Sequence, residues 1–204
     1  MNTTTHLRFL DRLLQRANTF SRLAIWVAGA LTLASALYIT FDVIVRKTLG
    51  FSFGGSDELS GYAFAISISW ALSFATLQRA NIRIDTLYQK LPTRLCAVID
   101  WVALVGLGIF IAYVTKYATN ITLASWTRNA TANTTLGTPL WIPQSIWLVG
   151  LIWFCVVLAV MLLRATTALI TGDLPRVRQL AGIRSLQEEA DAEAVAGQRF
   201  AEEN

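Results

Sequence analysis

The sequence predicts an all-α integral membrane protein, with four transmembrane helices, an amphipathic N-terminal helix at the membrane interface, and both termini in the cytoplasm. Three observations predict it. Hydrophobic residues make up 54% of the 204-residue chain and charged residues only 15%, where a soluble domain usually carries about 25% charged residues. The apolar residues gather into four stretches of about twenty each, the length an α-helix needs to cross ~30 Å of hydrocarbon. Lys and Arg fall unevenly between those stretches, thirteen on one side against four on the other. No linker is long enough to separate two folded units, so one bundle is expected over residues 23–171.

Residues 1–22 form an amphipathic prelude. Leu7, Leu10, Leu13, Leu14 and Ala17 share one helical face, while Arg8, Arg12 and Arg16 recur at every fourth position on another. A basic amphipathic helix at a membrane entry lies in the headgroup plane; the alternative is a helical extension of the first span into the cytoplasm. The first span covers about residues 23–45. Ala34-Ser35-Ala36 resembles a signal-peptide cleavage site, but apolar character continues past it through Leu37, Ile39, Phe41 and Val45. This marks a retained anchor. Near its end, Asp42 and Arg46 have the spacing of an intrahelical ion pair.

Gly54 and Gly55 then turn the chain into a second span, about 59–77. Ser56 is placed to cap it, with Asp57 and Glu58 in the first turn, where the helix dipole favours anions. Ser67, Ser69, Ser73, Ala71 and Ala75 form a small-residue face suited to close helix packing. The third span, about 95–115, follows the helix-breaking Pro92, and its apolar face continues through Tyr117 and Ile121, so it protrudes or tilts. Asp100 lies about a turn and a half inside it. An ionisable group there is costly and faces protein, either as a polar clamp to a neighbouring helix or loop arginine, or as an ion site. The fourth span, about 143–164, opens at Pro143 and ends before Gly172 and Pro175. Residues 172–204 read as a polar, acidic cytoplasmic tail, in which Ser185 and Glu188 have capping-box spacing.

Orientation follows from charge. Four Arg precede the first span, four Lys and Arg lie between the second and third, and five follow from Arg164 onward. Arg46 with Lys47, and Lys116 with Arg128, supply two each to the other side. The richer side is cytoplasmic.

The net charge of +4 does not point to nucleic acid, because the basic residues flank apolar segments and form no aromatic-interleaved groove. Trp101, Trp126 and Trp141 sit near span ends, as in an interfacial belt, whereas Trp70, Trp147 and Trp153 fall inside spans and are expected to pack against helices. Cys96 and Cys155 lack the spacing of a metal or redox motif and read as small packing residues. No catalytic constellation, metal-ligand set or phosphate-cradling loop is present, so neither an enzyme nor a cofactor is expected.

Several segments resemble, in order and spacing, the small membrane subunit of the tripartite ATP-independent periplasmic (TRAP) transporters. They are Asp42-Val-Ile-Val-Arg46, then Gly55-Ser56-Asp57-Glu58-Leu59-Ser60, then Gln78-Arg79-Ala80-Asn81-Ile82-Arg83-Ile84-Asp85, and Leu91-Pro92. In that family an arginine ends the first span, an acid opens the second, and a basic segment of the form R-x-x-H-I-x-V-D follows it. Here Asn81 stands where the family commonly has His, and Ile84 where it often has Val. Pro139-Leu140-Trp141-Ile142-Pro143 is similar to the family's lead into its fourth span.

The resemblance, over about residues 20–170, implies a division of labour. A large multi-span subunit binds substrate and sodium and moves by an elevator-like motion. A periplasmic solute-binding protein captures the substrate, often a carboxylate. The small subunit holds the large one's static scaffold in the bacterial inner membrane, among membrane lipids. On that reading Arg46, Glu58, Arg79, Arg83, Asp85 and Asp100 order the bundle or contact the partner. Two other classes fit the residues less well. A cytochrome b-type carrier needs axial histidines in the spans, and the only one in the chain is His6. A self-sufficient channel or exporter needs a polar stripe through several spans or a repeated half, and neither is evident.

Overall fold

In the computed structural model, residues 3–52, 54–79, 91–134 and 136–182 are described, with 194 and 197–198 besides. They form five α-helices: α1 (Thr3–Leu49), α2 (Ser56–Leu77), α3 (Thr93–Thr127), α4 (Trp141–Ile170) and α5 (Leu174–Ala181). Among the described residues the only β-type pairing is an isolated bridge between Thr131 and Pro139. Each of α1 to α4 is long and apolar enough to cross a membrane.

α1 runs unbroken for 47 residues. The chain has no proline before Pro92, so nothing interrupts the hydrogen-bond ladder where the amphipathic prelude meets the first span. The prelude is therefore a helical extension of that span rather than a separate element. At 1.5 Å per residue α1 is about 70 Å long and the 35-residue α3 about 52 Å. Both exceed ~30 Å of hydrocarbon, so each protrudes or tilts. Many hydroxyls fold back onto their own helix: Thr32, Thr40 and Thr48 donate to the carbonyls of Ala28, Ala36 and Ile44. That satisfies polar groups that hydrocarbon would leave unpaired.

Gly54 and Gly55, at φ 73° and 68°, make the turn into α2. The sequence placed Ser56 as the cap of this helix. Instead Gly55 occupies the cap position, with no side-chain cap bond, and Ser56 is the first helical residue, turned inward toward Asp42. The glycine pair reverses the chain so tightly that Ser56 faces α1 rather than its own backbone.

The ends of α3 and α4 close in the same way. Asn129 (φ 48°) follows α3, with Ala130 N donating to the Ser125 carbonyl at 3.0 Å. Gly172 (φ 75°) follows α4, with Asp173 N donating to the Ala168 carbonyl at 2.9 Å. A left-handed residue just past a helix lets the chain return and satisfy terminal carbonyls. Pro143 sits in the first turn of α4, where a missing N–H costs nothing. Pro175 does the same for α5, whose first turn is capped by Asp173 accepting from Arg176 N at 3.2 Å. The segment read as a polar tail thus begins with a packed helix. The capping-box pair Ser185 and Glu188 lies outside the described residues.

α4 is the centre of the array. It packs against α1, α2, α3 and α5, while α1 lies chiefly on α2 and, among the described residues, shares no substantial packing with α3. Phe154, Val157, Leu158, Met161 and Ala165 of α4 form the core with Leu104 and Ile111 of α3 and Ala17 of α1. A smaller cluster joins Ala97, Ala168 and Val177, so α5 closes the junction of α3 and α4. Among the described residues, α3 therefore joins α1 and α2 chiefly through α4, and the helices form an open layer.

Candidate functional site

The polar side chains that order this layer collect at its two ends. At the end where α1 meets α2, the fully buried Asp42 carboxylate is a hub. It accepts from Arg46 at 2.6 Å, from the Ser52 hydroxyl at 2.8 and 3.0 Å, and from the Ser56 hydroxyl at 3.3 Å. One carboxylate therefore ties the last turns of α1, the connecting loop and the first residue of α2. Its burial is tolerable because a cation and two hydroxyls replace the lost water. Arg46 is mostly exposed and also reaches Ser52 at 3.4 Å. Beside it, Glu58 accepts from Tyr62 at 2.9 Å, one turn along α2, and from the Thr134 hydroxyl in the α3–α4 connection. That loop is held by its own backbone pairs and by Trp126 against Trp141, centroids 4.5 Å apart.

The opposite end carries a second clamp, which was not singled out in the sequence. Arg164 of α4 donates through Nε and Nη2 to Asp11 of α1, at 2.9 and 3.4 Å, and Arg176 of α5 donates to the same carboxylate at 2.9 Å. Three helices meet on one acid. A signal was present: Asp11 is the only acid before Asp42, and Arg164 the only charged residue between Arg128 and Asp173. Gln78 donates to Asn18 at 3.1 Å close by.

Between the clamps the helices meet through small residues and indoles. Ser67 donates to the Ala28 carbonyl at 2.9 Å. Gly150 lies so close to α2 that a Cβ there would sit 2.5 Å from Ser69 Oγ and 2.9 Å from Trp70 Cδ1. Trp70 donates to the Ile146 carbonyl, Trp153 to Ser21, and Trp101 to Thr166. Trp70 and Trp153 are thus packed between helices. Trp101, near the start of α3, bridges α3 and α4.

Of the six residues named from the sequence, the four that are described divide between the two ends. Arg46 and Glu58 are at the Asp42 end. Arg79 follows α2 at the other end, in the left-handed conformation (φ 57°), with its N–H on the Thr76 carbonyl. Asp100 is fully buried on the face of α3 that also buries Ala97 and Leu104. Arg83 and Asp85 lie outside the described residues. Cys96 is buried and Cys155 partly so, both as free thiols, with Cys155 Sγ 3.3 Å from Thr115 Oγ1. Among the described residues no three His, Cys, Asp or Glu gather as a metal site.

The geometry is that of a stapled membrane layer with broad apolar flanks. A family model described as tripartite ATP-independent periplasmic transporters, DctQ component, matches residues 35–168. That span includes the Asp42 hub, α2, α3 and nearly all of α4. No curated protein and no solved structure matches the chain. With about two thirds of its length matched, and four helices able to cross a membrane, the chain belongs to the DctQ component family of the tripartite ATP-independent periplasmic transporters.

Proposed function

We propose that this chain is the non-catalytic scaffold subunit of such a transporter, holding a large multi-span subunit in the bacterial inner membrane with both termini in the cytoplasm. The complex would carry out sodium-driven uptake of an organic acid, such as a carboxylate, delivered by a periplasmic solute-binding protein. The observation that carries this reading is how little of the layer is buried on itself. In the most apolar stretch of α1 only 11% of residues are buried, and even in α4 only 33%. Helices arranged this way present their flanks to lipid or to another membrane protein.

The placement of charge supports the same reading. Asp42 and Asp11 are consumed in clamps between helices of this chain, which suits a rigid support better than an ion pathway. Arg46, Glu58 and Arg79 lie at helix ends, placed to order the layer or meet the partner; Arg83 and Asp85 share that role in the proposal, and Asp100 acts as an internal clamp.

The test is an affinity pull-down from gently solubilised native membranes, with the co-purifying proteins identified by mass spectrometry. Recovery of a large polytopic partner in about equal amount is the expected result. Recovery of this chain alone, stable and monodisperse, would overturn the scaffold reading.

A further inference from the structure

The lower half of α1 carries a feature that neither clamp uses. An open hollow of about 650 Å³ along one face of α1 is lined by Gln15, Arg16, Thr19, Arg22 and Trp26, together with Phe20 and Leu23. Phe20 and Leu23 also line a second groove of about 460 Å³. Its other walls include Val27 and Leu31 of α1, Ile66 and Trp70 of α2, and Ile146 of α4, and its lining is wholly apolar. The two are continuous. Arg16, Phe20, Leu23, Val27 and Leu31 follow at intervals of three or four residues, so one stripe of α1 leads from a cationic mouth to an apolar trough.

The dimensions and charge specify an occupant. From Phe20 to Leu31 the trough runs about 16 Å along the helix, close to one leaflet's half of a ~30 Å hydrocarbon core. Arg16 and Arg22 are exposed, and unlike Arg46, Arg164 and Arg176 they have no carboxylate partner among the described residues. Gln15 and Thr19 add neutral hydrogen-bonding groups at the mouth. Trp26, 75% exposed, stands where an indole prefers the boundary between headgroup and chain. A second copy packed symmetrically on this face would bring two more arginines to the same mouth and be repelled.

We infer that this composite groove binds one membrane phospholipid with an anionic headgroup, the headgroup between Arg16 and Arg22 and an acyl chain in the trough against Trp70. The site is independent of the scaffold proposal, since it needs only this chain and a bilayer.

The experiment uses the full chain, with any partner that co-purifies, in nanodiscs of phosphatidylcholine. Phosphatidylglycerol with brominated acyl chains is titrated in, and tryptophan quenching is read. The part of the quenching that disappears in Trp70→Phe reports the trough. For wild type that part is expected to saturate at a much lower fraction of brominated phosphatidylglycerol than of brominated phosphatidylcholine. Arg16→Gln and Arg22→Gln are each expected to shift the phosphatidylglycerol midpoint upward by about fivefold, while the Arg16→Lys/Arg22→Lys pair keeps it near wild type. Equal midpoints for the two lipids, or an unchanged midpoint in R16Q/R22Q, would overturn the site. So would absence of Trp70 quenching in the assembled complex, which would put a partner helix in the trough.

Discussion

Asp11 and Arg164, 153 positions apart, meet in a forked ion pair at 2.9 and 3.4 Å that joins the start of the first helix to the fourth. The Arg164 side chain is 8% exposed and that of Asp11 33%. Losing the acid therefore strands an enclosed guanidinium.

Asp11→Ala is expected to destabilise the chain by about 2 kcal/mol, less than the ~3–5 kcal/mol of a fully enclosed pair because Asp11 is partly solvated. Thermal unfolding in detergent measures it. Combining Asp11→Ala with Arg164→Leu should cost clearly less than the two single changes added together, because the double variant no longer strands the enclosed Arg164 guanidinium. Strict additivity would show that the pair contributes no coupling.

At the Asp42 hub the two serine hydroxyls depend on the carboxylate as much as Arg46 does. Asp42→Ala leaves the buried Ser56 hydroxyl without this acceptor and is expected to cost about 1–3 kcal/mol. Asp42→Asn keeps an acceptor and should cost less. Limited proteolysis of the α1–α2 loop offers a second readout, with cleavage rising in the alanine variant before it rises in the asparagine one.

Gly150 marks a close approach of α2 and α4. A methyl group there would press on Ser69 Oγ and Trp70 Cδ1, so Gly150→Ala should lower stability by about 1–3 kcal/mol, the usual cost of overpacking. Adding Ser69→Gly should recover part of the loss. If Gly150→Ala proves neutral, the helices are not as close as described.

The proposed orientation has its own check. Alkaline phosphatase fused within residues 128–140 should be active, and a fluorescent protein fused after Asn204 should fluoresce. The reverse pair of results would invert the topology.

The sequence made the four spans legible because hydrophobic length is a property of contiguous residues. The Asp42–Arg46 pair was legible for the same reason, being one helical turn apart. What escaped depends on contacts far apart in the chain. Nothing local to Asp11 or Arg164 reveals that they meet, although each is a solitary charge in its region. Ser56 carried a strong capping signal, yet a buried carboxylate on another helix claimed its hydroxyl. The fourth span does end before Gly172 and Pro175, but with Asp173 as cap Pro175 also opens a short helix, and Val177 then finds Ala97 and Ala168. The small-residue face of α2 was foreseen as a packing surface; its particular mate, Gly150, was not.

The order of helices across the layer has a consequence for how the protein is made. α1 and α2 emerge first and find each other at once. α3 then enters the bilayer with no substantial surface waiting for it, since among the described residues its packing is on α4 and α5. Until the last span arrives, the nascent chain is an associated pair and a solitary helix. α4 then completes the assembly in one event, docking on α1, α2 and α3 together, and α5 follows as its latch. A ribosome stalled before residue 141 would hold two unassembled fragments, and those are the species that membrane quality control would meet.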